Sequence, residues 1–98
     1  MLEGIVVTGE GIVCAIGLDK RSVQSSLRSC RSGIGAMHHL CSCHRDLPVG
    51  EVPLSDAALR ELLGLDSSRR VSRTALLGML AVDQALGDGS LDRHVVSA

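Results

Sequence analysis

The segment from Val71 to Leu86 constrains the fold most, because it is apolar around nearly its whole helical circumference. Its periodicity predicts a helix that begins at about Ser68 or Val71 and ends at Leu86, before Gly87-Asp88-Gly89. The apolar positions are Val71, Ala75, Leu76, Leu77, Met79, Leu80, Ala81, Val82, Ala85 and Leu86. A helix with so little polar surface is typical of the interior of a larger body.

The N-terminal segment predicts one buried β-strand that is interrupted by glycine. Ile5-Val6-Val7-Thr8 is β-branched throughout, and the pattern resumes at Ile12-Val13-Cys14 after Gly9 and Gly11. Glycines within such a run mark a bend or the close approach of another backbone. A further strand is predicted to begin at His94-Val95-Val96. Because a lone strand leaves N–H and C=O groups unpaired on both edges, these elements require a sheet that most of the sequence does not provide.

Two shorter helices are predicted between the first strand and the long helix. Asp19 is the predicted N-cap of the first, which ends at Ser32-Gly33-Ile34-Gly35. Ser55 is the predicted N-cap of the second, and Gly64 its stop. A short extended segment is predicted at Val49-Gly50-Glu51-Val52. The residues expected to face the interior are Val23, Leu27 and Cys30 in the first helix and Leu59, Leu62 and Leu63 in the second.

Composition restricts the class of protein. The chain has 98 residues, of which 45% are hydrophobic and 21% charged, the mix of a globular domain. Its formal net charge of −1 gives no general attraction to nucleic acid or to an anionic membrane. Neither a secretory signal nor an apolar run of the ~20 residues needed to span a bilayer is present, so a cytoplasmic protein is expected. Reduced thiols are therefore expected at Cys14, Cys30, Cys41 and Cys43.

The chain has no Phe, Tyr or Trp. Aromatic rings supply much of the buried area in a small core. Aliphatic residues must supply all of it here, so an isolated domain of this composition is expected to be marginally stable.

Three blocks, in order, resemble the β-ketoacyl-[acyl-carrier-protein] synthases. The run from Ile5 to Gly17 resembles their opening V-V-T-G-x-G pattern, and Arg31-Ser32-Gly33-Ile34 is similar to the end of their first helix. Val49-Gly50-Glu51-Val52, followed by Arg70-Val71-Ser72-Arg73, resembles the R-x-S-R that opens a long buried helix. The resemblance covers about residues 4 to 92. The run from His44 to Val52 also resembles a branch associated with aryl-polyene pathways.

The resemblance implies an α/β fold, with residues 1–98 forming the N-terminal fragment of a thiolase-like, layered αβαβα architecture. It implies an acyltransferase of fatty acid or polyketide synthesis that condenses acyl groups with malonyl-carrier protein, without a cofactor. It also implies a homodimer or heterodimer of synthase subunits. The family's nucleophilic cysteine and two histidines lie beyond this stretch, and Cys14 matches a packing position. The chain is therefore expected to hold no catalytic residue and to be inactive by itself.

Arg69, Arg70 and Arg73 form a basic cluster at the predicted start of the third helix. Arginines there oppose the helix dipole, so another interaction should favour them. One interpretation, by analogy with the family, is a docking point for acyl carrier protein, with Arg70 as its main contact. The other is ordinary surface charge or a salt bridge to Asp66. Ser72 and Arg73 are expected to bind backbone within the fold.

Two motifs suggest other functions. Gly9-Glu10-Gly11 lacks the third glycine of a dinucleotide-binding loop, because Cys14 stands there, and no helix follows at once. The region from residue 38 to 44 holds five potential metal ligands: His38, His39, Cys41, Cys43 and His44. Its C-x-C spacing is tighter than usual and no second ligand pair follows, so a solvated loop is favoured over a metal site. A small metal-binding module and a non-catalytic interaction domain that docks through the third helix remain the alternative functions.

Overall fold

The computed structural model describes residues 4–66 and 68–90. It contains three α-helices in this range, α1 (Lys20–Arg28), α2 (Asp56–Leu63) and α3 (Arg73–Asp88). Within the described residues no β-strand forms, and the only β-pairings are isolated bridges between Cys14 and Gly17 and between Gly35 and Val49. All regular secondary structure of the described residues is therefore helical.

The helix starts follow from side-chain caps. The carboxylate of Asp19 accepts a hydrogen bond from the N–H of Ser22 at 2.8 Å and begins α1. The hydroxyls of Ser55 and Ser72 accept from N–H groups three residues ahead and begin α2 and α3. Each cap satisfies a backbone donor that has no partner within its helix. The predicted caps Asp19 and Ser55 are confirmed, whereas α3 begins at Arg73, slightly later than predicted.

The helix ends agree with the prediction in one case and differ in another. Gly64 ends α2 with a left-handed backbone (φ 67°), as predicted. In contrast, α1 ends at Arg28, before the predicted Ser32-Gly33-Ile34-Gly35. Cys30 adopts φ 56° directly after the C-cap Ser29, and this left-handed residue stops the helix early.

The core is small and entirely aliphatic. Among the described residues its buried hydrophobic members are Val23, Met37, Val52, Leu59 and Leu76. Leu59 of α2 and Leu76 of α3 are fully buried where these two helices pack together. The interior positions predicted for Leu27, Leu62 and Cys30 are wrong. The side chains of Leu27 and Leu62 are 64% and 59% exposed, and Cys30 is exposed as well.

The predicted buried strand at Ile5–Thr8 and Ile12–Cys14 is not formed. Residues 4–13 lack regular secondary structure, and Ile5, Val6 and Val7 are largely exposed, with Val6 the least at 76%. Strand formation requires a partner backbone, and the described residues supply none for Ile5–Val7. The strand predicted at His94-Val95-Val96 lies outside the described residues. The segment predicted at 49–52 contributes only the Val49 bridge.

α3 is more exposed to solvent than its apolar sequence predicts. Leu76 is its fully buried side chain, while Met79 and Val82 are exposed. An apolar hollow runs along Ala75, Gly78, Met79 and Val82. None of the described helices is long and apolar enough to cross a membrane.

Candidate functional site

Gly9 and Gly11 bring the N-terminal segment directly against the backbone of α3. A methyl group at Gly9 would lie less than 3.0 Å from backbone atoms of Ala85 and Gly89, and one at Gly11 equally close to Ala81 and Ala85. Only glycine permits this approach. Of the two features predicted for these glycines, a bend or the close approach of another backbone, the second is confirmed.

Polar side chains of α3 bind one edge of this segment. The N–H of Glu10 donates to the Asp88 carboxylate at 2.9 Å, and that of Ile12 donates to the Gln84 Oε1 at 3.1 Å. The Gln84 side-chain amide also donates to the Leu18 carbonyl. Two alternate N–H groups are thus paired with side chains in place of a neighbouring strand.

Asp88 also links the segment to the first helix. The Lys20 ammonium lies 2.8 Å from the Asp88 carboxylate. The hydrogen bond from Lys20, together with the one from the N–H of Glu10, lowers the pKa of Asp88. The hydrogen bond to Asp88 in turn raises the pKa of Lys20. α1, α3 and the N-terminal segment therefore meet at one carboxylate. We call the contacts of Gly9, Gly11, Gln84 and Asp88 the α3 junction.

A single carboxylate organises the loop that holds the histidines and cysteines. Gly35 and Val49 close the base of this loop with two backbone hydrogen bonds of 2.9 and 2.8 Å. The Glu51 carboxylate accepts hydrogen bonds from the N–H groups of three successive residues, His38, His39 and Leu40. Desolvation raises the pKa of Glu51, but the three N–H donors together outweigh it, so the pKa is lowered.

Arg45 stabilises the same loop through hydrogen bonds to two of its backbone carbonyls. Its guanidinium donates to the Met37 carbonyl at 3.1 Å and to the Leu40 carbonyl at 3.4 Å. The predicted irregular loop is thus fixed by two charged side chains. Sequence reasoning did not identify Glu51 or Arg45, because each acts through backbone groups that no sequence motif displays.

The potential metal ligands of this loop do not converge. Cys41 and Cys43 are exposed, and the rings of His38 and His39 stand edge to face with centroids 6.5 Å apart. Among residues 4–66 and 68–90, no three side chains of His, Cys, Asp or Glu are placed to hold one metal ion. His44 makes a backbone hydrogen bond to the Ser42 hydroxyl.

The three arginines of the predicted docking cluster have different surroundings. The Arg73 guanidinium donates to the carbonyls of Leu54 and Val52 at 2.8 and 2.9 Å and to the Asp56 carboxylate at 2.9 Å. Its side chain is only 17% exposed. The expectation that Ser72 and Arg73 bind backbone within the fold is confirmed, so Arg73 fastens α3 to the start of α2.

Arg69 and Arg70 are exposed. Neither guanidinium has a hydrogen-bond or ionic partner within the described part of the chain, and neither pairs with Asp66, which accepts instead from the N–H of Ser68 at 3.0 Å. Arg60 of α2 binds the carbonyls of Arg69 and Val71 and so fixes the path of this connection. Two of the three arginines thus remain accessible for a partner.

Replacing Glu51 by glutamine is expected to loosen the loop. The neutral amide is a weaker acceptor than the carboxylate for the three N–H donors. Since the pKa of Glu51 is lowered in the folded chain, its contribution is present above its ordinary value near 4.5 and is lost as the pH falls through the lower folded value. Hydrogen exchange of the His38, His39 and Leu40 amides should accelerate in the variant at neutral pH, and in the native chain only in acid. Unchanged exchange in the variant would contradict this role.

Comparisons with family models, with curated proteins and with solved structures each found no match.

Proposed function

We propose that this chain is the N-terminal portion of a β-ketoacyl synthase, inactive by itself, and works as part of a larger condensing enzyme. The observation that best supports this proposal is the α3 junction. One edge of the extended segment is bound by Gln84 and Asp88, while Ile5–Val7 stay apolar, exposed and without backbone partners among the described residues. Such a surface is suited to adding strands, which is what a layered α/β body would supply.

The proposed partner is acyl carrier protein, bound through Arg70 and Arg69. Both side chains are exposed, and carrier proteins of this family offer an acidic surface. Arg73 belongs to the fold rather than to this surface, because it is bound to Val52, Leu54 and Asp56. The complete enzyme would be a dimer of synthase subunits that uses an acyl-cysteine and malonyl-carrier protein without a cofactor, in fatty acid, polyketide or aryl-polyene synthesis.

The test combines this chain with a β-ketoacyl synthase that lacks its own N-terminal segment. The chain alone should neither take up acyl groups nor release carbon dioxide from malonyl-carrier protein. Co-expression should give a soluble complex on gel filtration, and Val6→Lys, which places a charge on the open apolar segment, should prevent it. A matched Arg31→Lys variant, which keeps an exposed charge, should leave the complex intact. Turnover by the chain alone, or a complex unaffected by Val6→Lys, would contradict the proposal.

A second candidate is a non-catalytic interaction domain, favoured by the apolar hollow along α3. It predicts that Met79→Lys, rather than Val6→Lys, prevents association on gel filtration. The metal-module alternative has no comparable support. It requires stoichiometric zinc after purification and loss of helicity on chelation.

A further inference from the structure

The solvent-facing side of α1 is a cationic groove. It is lined by Arg21, Gln24, Ser25, Arg28 and Ser29. The helix carries three basic residues and no acidic one, whereas the whole chain has a net charge of −1. Positive charge is thus concentrated on one exposed helix face.

The two arginines of the groove are not used by the fold. Within the described residues, the guanidiniums of Arg21 and Arg28 have no hydrogen bond or ion pair. The pKa of the N-cap Asp19 is lowered mainly by its hydrogen bonds with Ser22, and the charge of Arg21 adds a smaller effect. By contrast, Lys20 on the neighbouring position is paired with Asp88. The groove therefore holds two cations whose guanidinium donors are unused within the described residues.

The spacing of the groove matches a helix. Arg21 and Arg28 are seven residues apart, which is two helical turns or about 10 Å. Carboxylates seven residues apart on a partner helix have the same separation.

We propose that this face of α1 docks an acidic helix of a partner protein. Nucleic acid is disfavoured because the chain has no Phe, Tyr or Trp on which a base could stack and has a net charge of −1. A helix suits the groove because carboxylates seven residues apart on it can pair with Arg21 and Arg28, which are two turns apart on one face. The inference rests on α1 alone and does not depend on the proposed synthase function.

The probe is a fluorescein-labelled helical peptide of about 20 residues with leucines and with glutamates spaced seven residues apart. Fluorescence anisotropy at an ionic strength of roughly 0.05 M should show binding to the full chain that weakens as salt is added. The double variant Arg21→Gln, Arg28→Gln should lower the affinity about tenfold or more. Glutamine keeps a high helix propensity, so circular dichroism should match that of the native chain.

The matched control is Arg31→Gln, which removes an exposed charge outside the groove and should change the peptide affinity less than about twofold. Absence of peptide binding, equal affinity for the native chain and the double variant, or an equal loss in Arg31→Gln would each overturn the proposal. Tighter binding of a single-stranded oligonucleotide than of the peptide would do the same. Loss of carrier-protein binding in Arg70→Gln alone concerns the synthase proposal and leaves this one standing.

Discussion

Gly11→Ala is expected to destabilise the chain by about 3 kcal/mol, which would lower Tm by roughly 10–20 °C. The added methyl group would lie less than 3.0 Å from backbone atoms of Ala81 and Ala85, and backbone cannot move aside as the end of a flexible side chain can. The segment would have to leave α3, breaking the bonds of Glu10 and Ile12. Thermal unfolding followed by circular dichroism measures the loss.

Gly78→Ala is the matched control for this substitution. A methyl group at Gly78 meets nothing within 4 Å, and alanine is the better helix former by about 1 kcal/mol. This variant should therefore raise Tm by a few degrees. If Gly11→Ala also left Tm unchanged or raised it, the close contact between the N-terminal segment and α3 would be wrong.

Arg73→Ala is expected to cost about 2–3 kcal/mol in the free energy of unfolding. It removes three charge-assisted hydrogen bonds and leaves the partly buried carbonyls of Val52 and Leu54 without their donor. Arg73→Lys should recover only part of the loss, because one ammonium cannot reproduce the forked guanidinium that spans both carbonyls and Asp56. Denaturant unfolding measures both variants.

Arg70→Ala provides the comparison within the same cluster. Its side chain is exposed and unpaired within the described residues, so the change in stability should stay below about 0.5 kcal/mol. Equal destabilisation by Arg70→Ala and Arg73→Ala would contradict the different roles given to these arginines.

The helix boundaries show which features of the fold can be predicted from neighbouring residues alone. Asp19, Ser55 and Gly64 were predicted correctly because a cap is decided by a side chain and the few backbone groups next to it. The early end of α1 was missed because it depends on the left-handed backbone of Cys30, which no composition rule for non-glycine residues predicts.

The candidate site was only partly predictable. Gly9 and Gly11 predicted a bend or a backbone contact, but not that α3 would make that contact. Gln84 and Asp88 lie more than seventy residues along the chain from the N–H groups they bind, and no motif connects them. The burial of Leu62 was predicted wrongly, because helical periodicity shows an apolar face but not whether another element covers it.

By itself, the sequence determined the three helices, the caps Asp19, Ser55 and Gly64, the all-aliphatic core and the glycines at the α3 junction. Each follows from interactions within a few residues or from composition. The tertiary structure alone decided which side chains bind the N-terminal segment, that Glu51 and Arg45 fix the loop after Gly35, and that Arg73 serves the fold while Arg70 stays free. These depend on contacts between residues distant in sequence, since hydrogen bonds and burial require partners that only folding brings together.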